Sequence, residues 1–425
     1  MKLVCAPEGF DFGSIQSDLA VILYGQNAAH GMGTVGGAVK DELARRQLSP
    51  AGRAWDLLSI ALSTVTADLA GHRDRSPDGW TREFDLTVAV ADPLFWNNQA
   101  ARVQQLLQFL TTDRWTIRFV DGGYLPKPPV HPIHRGEDCV VLLSGGLDSF
   151  IGAVDLAAAG HKAFAVSELV RGDAHNQRNF AASIGNGLTH VQLHHNATVP
   201  DPEIVPTQRA RSIVFLAYGV IAATSLETYQ AGQRVTLNIC ENGFIAINPP
   251  LTAARVGSLS TRTTNPVVLA LFRELLSEAG LRVDVRNPYR FKTKGEMLLE
   301  CLDPSLLEHS AHTTTSCGRF LRYGYMHCGR CVPCLVRRAA FRRWGKSDHT
   351  AYKFSNLSIE GTDHAAFDDV RAAAIAVIEK RETGITRWLG PSLSSPLVED
   401  KAQLASTVDR GLEEVGTLLA SFGIL

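Results

Sequence analysis

The fold is decided by the stretch Val140-Val141-Leu142-Leu143-Ser144-Gly145-Gly146-Leu147-Asp148-Ser149-Phe150. Four consecutive valine and leucine residues are typical of a strand that is buried on both faces of a parallel sheet, and residues 150–159 have the pattern of a helix. Between them, two adjacent glycines let backbone N–H groups approach an anion, serine hydroxyls add donors, and the helix directs its positive end to the same point. The stretch therefore predicts a strand, an anion-binding loop that suits pyrophosphate, and a helix.

This loop resembles the PP-loop of ATP pyrophosphatases, which split ATP between the α- and β-phosphorus atoms; it is not a Walker A loop, because no Gly-Lys-Ser/Thr follows. The resemblance implies a parallel-sheet domain of the adenine nucleotide alpha hydrolase-like (HUP) fold. It also implies adenylation, in which pyrophosphate leaves into the loop and Asp148 holds the Mg²⁺ that offsets the leaving charge. The residues implied to bind ATP and pyrophosphate are Ser144, Gly145, Gly146, Leu147, Asp148 and Ser149. The alternative is a simple Gly-Gly turn after a core strand, which six matched positions disfavour.

The composition is that of an ordinary soluble globular protein. The chain has 425 residues, 45% of them hydrophobic and 20% charged, enough for two or three domains. No signal-like apolar segment opens it and no apolar run approaches the length of a membrane span, so we expect a cytoplasmic protein without a membrane partner. The net charge of −1 makes a nucleic-acid partner unexpected, because enzymes that hold tRNA usually carry a basic face.

Four segments are predicted: an N-terminal α/β accessory domain (1–124), a proline-rich linker (125–138), the PP-loop domain (139–358) and a C-terminal helical extension (359–425). Strands and helices alternate after residue 139, which builds a parallel sheet whose ligands bind at the carboxyl ends of the strands. The whole chain is therefore expected to be an α/β protein. Predicted strands lie at 19–24, 84–90, 115–119, 163–166, 189–193 and 235–239; predicted helices lie at 55–69, 94–110, 173–184, 209–229, 336–343 and, as two amphipathic C-terminal helices, about 367–378 and 404–422.

Two further patterns carry less weight. Gly31–Gly36 formally matches a dinucleotide fingerprint, but the nearest predicted strand ends several residues too early, so we expect a flexible or close-packed loop there. His190, His194 and His195 lie in or just after a predicted strand, where polar packing at the sheet edge is favoured over metal binding.

Four of the eight cysteines are crowded into one short stretch, as Cys317, Cys328, Cys331 and Cys334. Two overlapping CxxC turns and one outlying thiol predict the closed tetrahedral site that zinc adopts in structural knuckles, and such a site leaves no open position for catalysis. A redox pair and an iron–sulfur cluster are the alternatives, and the neighbouring His327 is a conceivable substitute ligand. The other four cysteines are scattered, which argues against a disulfide framework.

A Ser-Gly-Gly-x-Asp-Ser loop with a four-cysteine knuckle downstream is similar to the QueC family, the 7-cyano-7-deazaguanine synthases, over about residues 138–350. Arg209-Ala210-Arg211-Ser212 stands where the family has Pro-Gly-Arg-Asn, and Thr293-Lys294-Gly295-Glu296 fits its Thr/Asp-Lys-x-Glu segment. The resemblance implies that Lys294 and Arg211 offset the charge of ATP phosphates or of the acyl-adenylate transition state, although either could instead be an exposed helix cation. The implied catalytic residues are Asp148, Lys294 and Arg211, and the implied substrate-binding residues are Glu241, Asn242 and Arg262.

The activity implied is that of an ATP-dependent carbon–nitrogen ligase. In the family, a carboxyl-deazaguanine is activated by ATP, captured by ammonia as an amide, and then activated again and dehydrated to the nitrile. Ser212 in place of Asn, the atypical segment 258–266 and the additional terminal segments resemble the QueC-like proteins of bacterial anti-phage systems. For such a protein we expect the amine to be ammonia or an amino group of a partner protein, the partners to be other proteins of the same defence system, and a homodimer to be possible.

Two other functions stay open at this point. One is a scaffold of a defence complex that senses a nucleotide or deazaguanine without turnover, although a scaffold has no need of a magnesium-binding aspartate. The other is a tRNA-modifying PP-loop enzyme, which would need a catalytic cysteine near the loop. Cys139 precedes the strand, at its wrong end, so this function ranks last.

Overall fold

The computed structural model describes residues 1–27, 30–204, 209–253, 262–358 and 369–425. Within these ranges the chain forms two sheets of five strands each, and every strand pairs in parallel with its neighbours. Helices accompany both sheets, so the predicted α/β class is confirmed. The predicted helix residue Phe367 and the atypical residues 258–261 lie outside the described residues.

The first sheet has the strand order β3-β2-β1-β4-β5. Along its edge strand β5, buried and exposed residues alternate, which confirms the prediction of a strand with one face on the core. The strands are β1 (Lys2–Pro7), β2 (Leu19–Gly25), β3 (Gly33–Gly36), β4 (Glu83–Ala89) and β5 (Arg114–Val120). The helices are α1 (Gly37–Arg45), α2 (Gly52–Ala70), α3 (Pro93–Asn98) and α4 (Ala100–Thr111).

The second sheet has the order β10-β9-β6-β7-β8, with the decisive strand β6 at its centre. Its strands are β6 (Cys139–Leu142), β7 (Ala163–Glu168), β8 (Thr189–Leu193), β9 (Val235–Asn238) and β10 (Val283–Arg286). Its helices are α5 (Leu147–Ala158), α6 (Ala174–Ser183), α7 (Arg211–Thr224), α8 (Glu227–Gln230), α9 (Gly243–Ile247), α10 (Pro266–Glu278), α11 (Lys294–Leu299), α12 (Pro304–Ser310) and α13 (Val332–Trp344). From β6 the chain adds β7 and β8 on one side, and it then adds β9 and β10 on the other side of β6. The strand order therefore reverses between β6 and β9, and their carboxyl ends border the crevice in which such sheets bind ligands.

The glycine-rich stretch before α1 differs from its prediction. Gly33–Gly36 is not a loop but the edge strand β3, which forms an antiparallel bridge from Thr34 to Thr198. The Gly36 N–H donates to the His195 carbonyl at 2.7 Å, and the Ala38 N–H donates to Asn196 Oδ1 at 3.2 Å. These two backbone donors are therefore already used within the protein and are not available to a dinucleotide phosphate.

The C-terminal segment is helical where it is described. It contains α14 (Asp369–Thr383), α15 (Ile385–Leu389) and α16 (Lys401–Ala420), so the predicted last helix is confirmed. Helix α16 packs against α9, α11 and α13, which places it beside the elements at the carboxyl edge of the second sheet.

Helices α2 and α7 lie between the two sheets and pack against each other. Sixteen of the 19 residues of α2 are buried, and its serine and threonine hydroxyls donate to carbonyls four residues earlier, which lets these polar side chains be buried. One continuous hydrophobic cluster contains Leu58 of α2, Val214 of α7 and residues of both sheets. Of the helices in the described ranges, none is both long and apolar enough to cross a membrane.

Candidate active site and metal centre

The loop between β6 and α5 is held by its own serines. The Ser149 hydroxyl donates to the Gly146 carbonyl at 3.0 Å and accepts from the Ser144 N–H at 3.2 Å. The Ser144 hydroxyl lies 3.0 Å from that of Ser149 and accepts from the Gly146 N–H at 3.2 Å. Gly145 has a φ of +90°, a conformation that favours glycine. The loop is therefore preformed, as its pattern predicts.

Asp148 follows this loop in the first turn of α5, and two other elements bring it partners. Lys294, the first residue of α11, places Nζ 2.5 Å from Asp148 Oδ1. Asn242, the N-cap of α9, donates to Asp148 Oδ2 from its Nδ2 at 2.6 Å and from its backbone N–H at 3.1 Å. All three side chains are buried, so Lys294 is not the exposed helix cation of the alternative interpretation.

As it stands, Asp148 does not offer a ready site for Mg²⁺. Magnesium prefers several oxygen ligands in octahedral geometry, whereas here one carboxylate oxygen faces the Lys294 ammonium and the other faces Asn242. The positive charge beside Asp148 is that of Lys294. A magnesium role for Asp148 stays a prediction that requires Lys294 to move.

Glu241 comes three residues after β9 and lies beside this pair. The Thr264 hydroxyl donates to Glu241 Oε2, and Asn287 Nδ2 donates to the Glu241 carbonyl at 2.8 Å. Burial raises the pKa of the Glu241 carboxyl to about 7; the Thr264 hydrogen bond opposes this rise, and the Asp148 carboxylate adds to it. Glu241 can therefore gain or lose a proton near neutral pH.

We expect Glu241→Gln to remove a pH-dependent part of the stability. The folded Glu241 carboxyl titrates near pH 7 and the unfolded one near its ordinary value of about 4.3, so the folded state binds more protons between them. Relative to the variant, the wild type should lose up to about 3 kcal/mol of unfolding free energy between pH 5 and pH 8. Urea denaturation at both pH values measures this loss. Equal changes in the two proteins would show that Glu241 titrates normally.

Arg211 lies at the neighbouring strand end. Its Nε and Nη2 donate to Glu168 Oε1 at 3.1 Å and Oε2 at 2.9 Å, a bidentate, side-on pairing with the last residue of β7. His195 Nε2 is 3.4 Å from Glu168 Oε1. The side chain of Arg211 is 25% exposed, so it is neither a fully solvated cation nor a direct partner of Asp148 in the described contacts.

Arg262, a predicted substrate-binding residue, contacts helix α4 beside the first sheet. Its Nη1 donates to the Phe109 carbonyl at 2.8 Å, and its guanidinium lies over the Phe109 ring. Arg209 is fully buried and donates to Thr112 Oγ1 at 2.8 Å, at the same end of α4. Arg209, two residues before α7, and Arg262, four residues before α10, are thus both anchored on the C-terminal end of α4.

Residues without a recognisable sequence motif also hold the loop from neighbouring elements. Gln177 Nε2 donates to the Ser144 carbonyl at 3.2 Å. The Thr315 N–H donates to the Gly145 carbonyl at 3.0 Å, and the Thr315 hydroxyl donates to Asp173 Oδ1 at 2.7 Å. Thr315 lies two residues before the first clustered cysteine. This proximity in sequence to Cys317 is the one signal that could have linked the loop to the cysteine cluster.

The four clustered cysteines converge as their spacing predicts. Their Sγ atoms all lie within 4.8 Å of one another, with Cys328 and Cys334 at 3.9 Å and Cys317 and Cys331 at 3.9 Å. Four sulfurs at 2.3 Å from a tetrahedral zinc would be about 3.8 Å apart, so the set fits such an ion. Backbone N–H groups donate to Cys317 Sγ and Cys328 Sγ, as suits thiolates. These four residues could hold a metal ion such as zinc.

The histidines have other partners. His327 Nε2 accepts from the Ser316 N–H at 3.0 Å, so this ring atom is used within the protein. His190 Nε2 is 2.8 Å from the Ser167 hydroxyl, which is polar packing at the sheet edge. In the described part of the chain, the one other set of close potential metal ligands is Asp138, Cys139 and His161, at the opposite end of β6.

Two curated proteins resemble this chain over about half its length. It is 26% identical over 262 residues to a 7-cyano-7-deazaguanine synthase of Agrobacterium fabrum, a match that covers 54% of this chain and 98% of that protein. It is 24% identical over 254 residues to a protein of the same name from Allorhizobium ampelinum, covering 52% and 95%. No family model matches the chain, and no solved structure matches it. Together with the preformed loop and the cysteine cluster, these matches support an ATP-using enzyme similar to the 7-cyano-7-deazaguanine synthases.

Proposed function

We propose that this protein adenylates a 7-deazaguanine-type carboxylate with ATP and transfers the activated acyl group to an amine. The observation that carries this proposal is the convergence of Lys294 and Asn242 on Asp148 at the end of the preformed loop. A glycine- and serine-rich loop at the N-terminus of α5 suits a leaving pyrophosphate, and a buried ammonium beside it suits a reaction that moves negative charge. The similarity to named 7-cyano-7-deazaguanine synthases supports the same reaction class.

In the first step, a carboxylate oxygen of the substrate attacks the α-phosphorus of ATP. The bond from the α-phosphorus to the bridging oxygen breaks, and pyrophosphate leaves with that electron pair into the loop of Ser144–Ser149. Lys294 would exchange Asp148 for a phosphate oxygen as the charge develops, which stabilises the transition state more than the bound substrate. Arg211, held by Glu168, supplies a second positive charge at the same sheet edge. Magnesium would enter with ATP.

In the second step, an amine attacks the acyl carbon and AMP leaves with the electron pair of the broken C–O bond. The amine must also lose a proton. Glu241 suits this role, because its pKa near neutrality allows it to accept a proton at physiological pH. The acceptor is ammonia or an amino group of a partner protein.

We further propose that the reaction serves bacterial anti-phage defence, as in QatC of the four-gene Qat system. Nearly half of the chain lies beyond the match to the biosynthetic enzymes, which leaves room for a different acceptor. Other proteins of the same system would be the partners. Zinc in the cysteine cluster would have a structural role, because four thiolates close its coordination shell.

The experiment is pyrophosphate release from ATP by the full-length protein. We expect release only with 7-carboxy-7-deazaguanine, and none with a 7-deazaguanine that lacks the carboxyl group, because the carboxylate that attacks the α-phosphorus is then missing. Added ammonia should convert the product to the amide, which mass spectrometry identifies. If ATP binds but neither compound supports release, with or without neighbouring gene products, the proposal fails and a sensing scaffold is favoured.

A further inference from the structure

Helix α16 contacts the two short helices that supply both partners of Asp148. At α9, which begins after Asn242, a Cβ added to Gly243 would lie 2.8 Å from Thr407 Cγ2 of α16. In the other direction, a Cβ added to Gly411 of α16 would lie 2.8 Å from the Phe244 ring. The two helices approach each other closely only because glycine occupies both positions.

At α11, the contact with α16 surrounds Lys294. The Thr293 hydroxyl donates to Glu414 Oε1 of α16 and accepts from the Glu296 N–H at 3.1 Å. Glu296 in turn accepts from the Thr293 N–H at 2.8 Å, which completes a capping box around the first turn of α11. A Cβ on Gly295 would lie 2.8 Å from Glu414 Oε1. Glu414 therefore lies against the residues on both sides of Lys294.

Ion pairs between α11, α13 and α16 hold the first turn of α11 in this position. Arg410 of α16 places Nε 2.7 Å from Glu296 Oε1, and its Nη2 donates to the Phe291 carbonyl at 2.8 Å. Arg343 of α13 places Nε 3.3 Å from Glu414 Oε1. Two carboxylates and two guanidiniums thus alternate around one helical turn, and Glu414 is the most buried of the four.

We propose that α16 is a positioning element for the Asp148–Lys294 pair and that Glu414 is its principal positioning residue. Glu414 does not contact Asp148 or the Lys294 ammonium in the described contacts, so it acts through Thr293 and Gly295. The expected effect of Glu414 on kcat rests on the proposed function, whereas its expected effect on the reactivity of the Lys294 ammonium does not. A small displacement of a reacting group can cost about 100-fold in rate, so we expect Glu414→Ala to lower kcat by about 10- to 100-fold with little change in KM for ATP.

The test that is independent of turnover is acylation of lysines by a water-soluble anhydride, with Lys294 quantified by peptide mass spectrometry. In the wild type, Lys294 should react slowly because it is buried and paired with Asp148. Glu414→Ala should raise its reactivity at least about tenfold, which corresponds to a local opening of the Asp148–Lys294 pair that is easier by about 1.4 kcal/mol. Asp148→Asn is the positive control. Glu413→Gln is the matched control, because Glu413 is the neighbouring carboxylate on α16 but pairs with Lys380 of α14.

A second pair of variants covers the case in which Glu414→Ala does not fold. Thr293→Val removes the hydroxyl that Glu414 accepts from, and Thr293→Ser restores it, so the first should expose Lys294 to acylation and the second should not. Unchanged Lys294 reactivity in Glu414→Ala and Thr293→Val, with a rise in Asp148→Asn, overturns the proposal. An equal rise in Glu413→Gln overturns it as well, because the effect would then be general loosening. If wild-type protein releases no pyrophosphate, the proposed function fails while the acylation result still decides this inference.

Discussion

Asp148→Asn is expected to lower substrate-dependent pyrophosphate release by about 100- to 1,000-fold. The substitution removes the negative charge that orients Lys294 and keeps a side chain of nearly the same size at the loop. Loss of a group that acts on charge in the transition state commonly costs about 3–4 kcal/mol in activation free energy, which corresponds to that factor. Steady-state release at saturating ATP and deazaguanine carboxylate measures the effect.

Stability must be separated from chemistry in this result. Asp148→Asn leaves the Lys294 ammonium buried without its counter-charge, which is expected to cost about 3–5 kcal/mol of unfolding free energy. The double variant Asp148→Asn/Lys294→Met removes both charges and should recover most of that stability while staying inactive. Asp155→Asn is the matched control: Asp155 lies on the same helix α5 but bonds to Tyr289 and the Leu302 N–H. Substantial activity in the double variant would contradict a catalytic role for the pair.

Removal of one cysteine ligand has the second large expected effect. In Cys331→Ser, we expect the intense sulfur-to-metal absorption of the cobalt-substituted protein to weaken, because each thiolate ligand contributes to that band and one is removed. We also expect the unfolding free energy to fall by at least about 3 kcal/mol, since binding of a structural metal contributes directly to folding. Cobalt spectra and urea denaturation measure the two effects.

The same variant should also loosen the loop. The Thr315 N–H donates to the Gly145 carbonyl, and Thr315 lies close in sequence to Cys317, the first clustered cysteine. Amide hydrogen exchange in the peptide that contains residues 144–149 should therefore become faster in Cys331→Ser. Cys301→Ala is the control, because Cys301 is buried outside the cluster. Unchanged loop exchange, with the metal lost, would show that the cluster does not support the loop.

The parts that could be predicted from sequence are those with a local physical signal. The stretch from β6 to α5 was predicted because strand, turn and helix preferences act on adjacent residues. The cysteine cluster was predicted because two CxxC turns direct sulfurs to one point. In both cases few residues outside the motif are needed to form the geometry.

The parts that could not be predicted depend on distant partners. The prediction of a loop at Gly31–Gly36 was wrong for Gly33–Gly36, which pairs with β2 as β3 and also bridges to Thr198 from the other half of the chain. Glu168 and Thr315 have no motif of their own and become part of the site only through the ends of other elements. A substrate-binding role for Arg262 stays a prediction, and its hydrogen bond to Phe109 is a contact that no local pattern indicates.

The burial of helix α2 between the two sheets limits how the protein can move. Since nearly all of its surface is covered, and α7 covers it from the side of the second sheet, the two sheets share one interior. The proline-rich stretch that joins β5 to β6 can then not serve as a hinge, because bending there would pull α2 from α7 and expose apolar side chains of both halves to water. We therefore expect the candidate site to open by movement of loops and short helices on the two-sheet body, not by separation of the two sheets.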